Sequence, residues 1–315
     1  MTRDWLRRIG QTRLTTSAII AGASPLGSMP HLYGYGVNES EAVEFVRALL
    51  QSPIRAIDTS NNYGDGASER RIGHAIMLAG GVPADFSVIT KVDSAGGDFS
   101  GRRVRESFRE SRERLGVQGV PLLFLHDPDA FDFEDMAAAG GAVDALLQLR
   151  DEGLAGSIGV ATGDTRLLNR YLDLGVFDVI LCHNRFTLVD RSADELFSRA
   201  VAMGVGVLNA AVFGGGILAR PRESTNYSYG PARRELLEAI AAMDAVCARA
   251  GIELATAALQ FSLRDPRIDA TVVGMTSERR ISSLIASAGV DIPDAVWDEL
   301  SDLLPPASTW LDARD

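Results

Sequence analysis

The chain has 315 residues, 46% of them hydrophobic, with a formal net charge of −11. That length and apolar content allow a sizeable core. The excess of carboxylates excludes a nucleic-acid backbone as the main partner.

No apolar run reaches the ~20 residues needed to span a bilayer. The N-terminal stretch MTRDWLRRIG lacks the apolar centre of a secretory signal. Cys182 lies in an apolar run and Cys247 in a helical stretch, so both are expected to be buried free thiols in a reducing, cytoplasmic setting.

Short β-branched apolar runs recur along the chain with helical stretches between them. They predict strands near residues 17–23, 54–60, 87–93, 121–127, 155–161, 177–183, 204–211 and 269–275. Runs that are apolar throughout suit parallel strands covered on both faces. After the third strand, Val104, Phe108, Ser111 and Leu115 trace one face of a helix. Around that face the arginines from Arg102 to Arg114 interleave with Glu106, Glu110 and Glu113, the pattern of a solvated, charge-paired surface. After the sixth strand, Ala193, Leu196, Phe197, Ala200 and Val201 form a second apolar stripe.

Eight strands alternating with helices predict a closed α/β barrel, the (β/α)8 TIM barrel, as a single domain over residues 1–315. An open doubly wound sheet would carry a Gly-rich turn after its first strand and an acid ~20 residues on. Gly22 to Gly27 lacks that spacing and sets Pro25 where the helix would begin. Two long loops, residues 25–39 and 213–231, follow the first and seventh strands. Both fall at the C-terminal face, where barrel enzymes place their chemistry. The first carries His31, Tyr33 and Tyr35.

Three of the runs deliver chemistry at their C-terminal ends. Asp58 closes the second, Lys91 the third and His126 the fourth, with Tyr63 in the loop after the second. A nearby ammonium lowers a phenol's pKa and a carboxylate keeps that ammonium charged, so the set can move a proton near neutral pH.

The motif D-T-x-x-x-Y-G at residues 58–64, S-E-x-x-x-G at 68–73, I-T-K ending at Lys91 and L-H ending at His126 resemble the aldo-keto reductase superfamily. The resemblance runs from about Leu14 to about Ala288. It implies that Tyr63 is the general acid in carbonyl reduction and the general base in alcohol oxidation. Lys91, paired to Asp58, would lower its pKa, and His126 would orient the substrate oxygen. Hydride would pass directly between substrate and nicotinamide, with no metal. A metal site of His126, Asp127 and His183 lacks close ligand spacing such as H-x-H or H-E-x-x-H. His31, Tyr33, Asn62 and Asp127 are expected at the substrate.

Three stretches depart from the commonest family pattern. Where many members have G-V-S-N, this chain has Gly159-Val160-Ala161-Thr162. The sixth strand has DVILCHNRF in place of a glutamine, which makes Asn184 the first candidate for the nicotinamide amide contact and Thr162 the second. After the seventh strand no aromatic stands where many members stack a tyrosine, and Phe213 and Gly214 are expected at the cofactor instead. The eighth strand of many NADP-dependent members ends in K-S-x-x-x-x-R. Here Gly274 takes the lysine position, Met275 the serine position and Arg280 the arginine position, with Thr276 and Ser277 opening the next helix. The expected cofactor is NADP, with NAD also usable.

N-A-A-x-F-x-x-G-I-L and LHDPD are similar to a narrower branch of aldose, fucose and pyridoxal dehydrogenases. This implies an NAD(P)-dependent oxidoreductase acting on a sugar or other small carbonyl or alcohol. The expected partners are that substrate and the nicotinamide, with no nucleic acid and no membrane. A nicotinamide-binding sensor subunit with little turnover is the alternative, and a metal-dependent barrel hydrolase a third class.

Overall fold

The computed structural model describes residues 4–313. Eight parallel strands close a barrel: Ile19–Gly22, Ala56–Asp58, Ser87–Val92, Leu123–His126, Ile158–Thr162, Val179–His183, Gly206–Ala210 and Ala270–Gly274. The last pairs back onto the first, with Thr271 opposite Ile19. Every predicted strand is present within a residue of its window.

The runs are apolar throughout because both faces are buried. Ile20, Ile89, Phe124, Leu181 and Leu208 belong to one buried cluster to which all eight strands contribute. Neighbours such as Ile19, Ala21, Ile57 and Val88 pack instead with Phe45, Val46 and Leu49 of the helix Glu39–Leu50. Ile9 and Leu14 join the first cluster from a hairpin of Leu6–Arg8 with Thr15–Ser17. The first predicted run, 17–23, is therefore divided between this hairpin and the barrel.

In the helix Gly101–Leu115, Val104, Phe108, Ser111 and Leu115 are buried as expected. Arg102 pairs with Glu106 at 2.8 Å and Arg109 with Glu113 at 2.7 Å on the exposed face. Arg103 departs from that pattern. It is only 8% exposed, and its guanidinium reaches two turns along to Glu110, at 2.8 and 3.0 Å. Those hydrogen bonds hold the Glu110 carboxyl at about 2. The stripe after the sixth strand is also narrower than expected. Leu196, Phe197 and Ala200 are buried in the helix Asp194–Ala202, while Val201, one residue further round, is 47% exposed.

The S-E-x-x-x-G motif lies at the start of the helix Ala67–Leu78. Ser68 Oγ donates to Ala23 O at 2.9 Å. Glu69 is fully buried, accepting from Thr90 Oγ1 at 2.7 Å and pairing with Arg114 at 3.2 Å. Burial raises its carboxyl, and the bonds from Thr90, Ser111 and Arg114 oppose that shift. A Cβ on Gly73 would stand 1.9 Å from the backbone oxygen of Arg114, so only glycine allows the two helices this approach. Gly73→Ala is expected to cost ~1–3 kcal/mol by forcing them apart. Urea unfolding checks this, and an unchanged midpoint would show that the glycine does not set the spacing.

The loop 25–39 holds the turn Ser24–Gly27 and the helical turn Pro30–Tyr33. The loop 213–231 holds the turn Gly214–Gly216 and a two-residue ladder of Asn226–Tyr227 with Gly230–Pro231.

Candidate active site

Asp58 ends the second strand, Lys91 is the penultimate residue of the third and His126 ends the fourth. Adjacent parallel strands therefore bring the three side chains to one end of the barrel. Tyr63 arrives on a braced turn. Asn61 N donates to Lys91 O at 3.1 Å, and Arg114 donates to Asn61 O at 2.9 Å. Gly64 follows with φ +60, and a Cβ there would lie 2.1 Å from Gly27 O. The glycine in D-T-x-x-x-Y-G thus seats Tyr63 tightly against the first loop.

All four expected residues meet. Lys91 Nζ donates to Asp58 Oδ1 at 2.6 Å, Thr59 O at 2.7 Å and Tyr63 Oη at 3.3 Å. An ammonium has three donors and no acceptor, so Tyr63 Oη must accept from it and its own O–H is left to point elsewhere. The His126 ring stands edge-on to Tyr63 with centroids 5.4 Å apart. Lys91 is 1% exposed and Asp58 3%.

The phenol's pKa differs from the sequence expectation. Burial first, then the negative charge of Asp58, Asp127 and Asp93, holds Tyr63 well above its ordinary value. Asp58 lies against Lys91 and cancels much of its field at the phenol. Burial also raises the Asp58 carboxyl, with Lys91 opposing. In this state the Tyr63 phenol keeps its proton.

Asp93 and Ser60 escaped the sequence reading. Asp93 Oδ1 lies 2.7 Å from His126 Nδ1, and its Oδ2 accepts from Ser60 Oγ and, at 3.0 Å, from Asn62 N. Ser60 Oγ is itself 3.0 Å from His126 Nδ1. The available signal was the period of a strand: Asp93 follows Lys91 by two residues, so both point to the same side. Burial disfavours the imidazolium of His126, but Asp93 and Asp127 outweigh it and the pKa lies above the ordinary value. Asp127, at φ +40, sits 3.6 Å from His126 Nε2 and 3.5 Å from His183 Nε2. Burial raises its carboxyl, yet the two imidazoles hold it far below the usual range. Among the described residues no group of three or more His, Cys, Asp or Glu is arranged to hold a metal ion.

The other expected site residues divide. Asn184 is 2% exposed and adopts φ +63. Its backbone oxygen accepts from Tyr227 Oη at 3.0 Å, while its Oδ1 is buried without a hydrogen-bond partner. Thr162 donates to Asp129 at 2.6 Å, so its hydroxyl proton is already engaged. Gly214, at φ +58, has a packing reason of its own, since a Cβ would meet the Tyr227 ring at 2.3 Å. Tyr33 Oη donates to Ser24 Oγ at 2.7 Å. His31 and Asn62 are exposed. Tyr229, which sequence reasoning passed over, brings its ring to 6.1 Å from that of His183.

A separate cleft of about 350 Å³ is lined by Tyr35, Gly274, Thr276, Ser277, Arg279 and Arg280 among others. Tyr35 therefore belongs with the end of the eighth strand. The Arg280 guanidinium lies 5.1 Å over the Phe213 ring, and no carboxylate pairs with it among the described residues. Burial lowers its pKa. Ser277 Oγ accepts from Arg280 N at 3.3 Å, so it caps the helix Glu278–Ala288.

A model of the Aldo/keto reductase family matches residues 18–305. The chain belongs to that family. It is 33% identical to L-galactose dehydrogenase of Arabidopsis thaliana, over 91% of this chain and 89% of that one. To D-threo-aldose 1-dehydrogenase of a Pseudomonas species it is 29% identical, over 92% and 94% respectively. A solved aldo-keto reductase of Bacillus halodurans, in its holo form, superposes with a TM-score of 0.79 at 20% identity, covering 99% of this chain and 100% of that one. The last likeness concerns the fold alone. Membership places this aldo-keto reductase among oxidoreductases of carbonyl and alcohol groups.

Proposed function

We propose that the protein is an NAD(P)-linked dehydrogenase of the aldose type, exchanging hydride between nicotinamide and a sugar hemiacetal or similar small alcohol. The observation that carries this reading is the buried Asp58–Lys91–Tyr63 chain beside His126. The similarity to aldose and galactose dehydrogenases supports the substrate class.

The residues present suit a nicotinamide dinucleotide. Asn184 Oδ1, buried and without a partner, is an acceptor for an amide N–H, and an unmet buried acceptor costs ~1–3 kcal/mol. Arg280, lacking a carboxylate, is free to take a phosphate in a charge-assisted bond. When bound, the nicotinamide accepts or donates the hydride. Lys91 fixes the Tyr63 oxygen, Tyr63 O–H delivers the proton to a carbonyl oxygen and its phenolate removes it from an alcohol. His126 offers Nε2 to the same oxygen, and Asp127 is available to accept from a neighbouring hydroxyl.

The 2′-phosphate of NADP is assigned to Arg280, with Gly274 contributing no charge. Arg280→Ala should lower the NADP-to-NAD ratio of kcat/KM by ~10-fold or more, the worth of a charge-assisted hydrogen bond. An unchanged ratio would remove the phosphate from this residue.

The test of the whole reading is a panel of aldoses, polyols and apolar aldehydes, followed at the nicotinamide absorbance in both directions with both cofactors. Higher kcat/KM on aldoses or polar alcohols than on apolar aldehydes is expected. Exclusive use of alkyl or aryl aldehydes would overturn the substrate class. Cofactor binding without turnover on any member would point to a sensor subunit.

A further inference from the structure

We propose that Asp93 is a positioning residue that holds His126 as an Nδ1-protonated imidazolium, so that Nε2–H meets the substrate oxygen as a charged donor. The inference rests on the dehydrogenase reading for its consequence, but not for its geometry.

The hydrogen-bond directions fix the proton. Asp93 is 6% exposed and receives three donors. Ser60 O–H and Asn62 N–H occupy Oδ2, which leaves Oδ1 for His126 Nδ1 at 2.7 Å. A carboxylate accepts only, so Nδ1 carries hydrogen. Because the Ser60 proton goes to Asp93, Ser60 Oγ faces the same Nδ1–H as a second acceptor at 3.0 Å.

The backbone holds Asp93 in place as firmly as the side chain. Asp93 N donates to Ser107 Oγ at 3.0 Å, and Arg103 Nε donates to Asp93 O at 3.1 Å. Arg103 is in turn anchored by Glu110. The ring therefore has one orientation available, with Nε2 turned away from Asp93 toward Asp127, at 3.6 Å.

The charged and titratable groups facing His126 come from every neighbouring strand. Burial disfavours its charged form, Asp93 and Asp127 favour it and Lys91 opposes it, with the carboxylates prevailing. Asp58 neutralises Lys91 at close range. Tyr63 is neutral, and His183 shares Asp127 from the other side. Two carboxylates thus stand against one compensated cation. A ring held charged gives a stronger bond to a developing alkoxide than a neutral one. It also gives that bond an alkaline limit that a neutral donor would lack.

The test compares wild type, Asp93→Asn, His126→Gln and the double variant. Asparagine keeps the size and one acceptor oxygen but removes the charge. Asp93→Asn should lower kcat ~10–100-fold, the loss of one charge-assisted hydrogen bond, and leave cofactor affinity unchanged. On the His126→Gln background it should cost almost nothing further, because a residue acting through the ring has no effect once the ring is gone. An equal loss on both backgrounds would make Asp93 merely structural and overturn the proposal.

A second readout needs no turnover. Histidine-selective NMR should show the His126 ring titrating above a free imidazole in wild type and at lower pH in Asp93→Asn. A wild-type ring that stays neutral through pH 7 would sink the charged-donor assignment. If instead the ring titrates as expected while no substrate is turned over, the fault lies with the dehydrogenase reading.

Discussion

Tyr63→Phe should reduce kcat by ~10²–10⁴-fold, the usual contribution of a general acid–base group, and leave cofactor binding nearly unchanged. The phenyl ring retains the edge-on packing against His126, so the loss reports the hydroxyl alone. The pH dependence supplies a second signature. Burial and the surrounding carboxylates hold the phenol's pKa well above its ordinary value, so the phenolate fraction grows with pH throughout the accessible range. Wild-type alcohol oxidation should therefore rise with pH from neutrality until the His126 ring loses its charge. The residual activity of the phenylalanine variant should lack that slope. Retention of most of the wild-type turnover, or an identical slope, would remove Tyr63 from the proton path.

Lys91→Met should be the most destabilising single change at the site, at ~3–5 kcal/mol, because it leaves a buried charge without its partner. Asp58 has little else to fall back on. It is 3% exposed, and its Oδ2 has no hydrogen-bond partner. The sign of the pH dependence follows from burial, which raises the Asp58 carboxyl while Lys91 lowers it. Without the lysine the folded-state pKa rises further above that of the unfolded chain. Folded protein then binds more protons than unfolded protein between the two values, and stability falls as pH rises through that window. Urea unfolding should accordingly show a larger penalty at pH 8 than at pH 5. Adding Asp58→Asn should recover much of the stability and none of the activity. A Lys91→Met variant as stable as wild type at pH 8 would contradict a buried ion pair.

The barrel was legible because its strands, buried on both faces, read as unbroken apolar runs. The strand Leu6–Arg8 was not, since its three residues bury only Arg7 and lack an unbroken apolar run. Tyr63, Lys91, Asp58 and His126 were found through motif spacing, and their meeting follows from strand order. What the spacing lacked was the count of charges. It gave Tyr63 a cation, but burial of the phenol first, and then the charges of Asp58, Asp127 and Asp93, reverse the expected shift. Arg103 was misjudged for a related reason. A helical wheel marks where a side chain starts, and an arginine is long enough to turn under the loop of Asn61, 3.3 Å from its Oδ1. The absence of a lysine at Gly274 was plain in the sequence, whereas the packing of Arg280 on Phe213 depends on a loop whose path no periodicity describes.

The most direct test of the account is the fate of one hydrogen. The best aldose or alcohol from the panel, deuterated at the carbon being oxidised, is incubated with protein and oxidised cofactor, and the products are read by mass spectrometry and NMR. Direct hydride transfer predicts deuterium at C4 of the reduced nicotinamide, in equal amount to the product and on a single face. Deuterium released to water, with none on the cofactor, would contradict it.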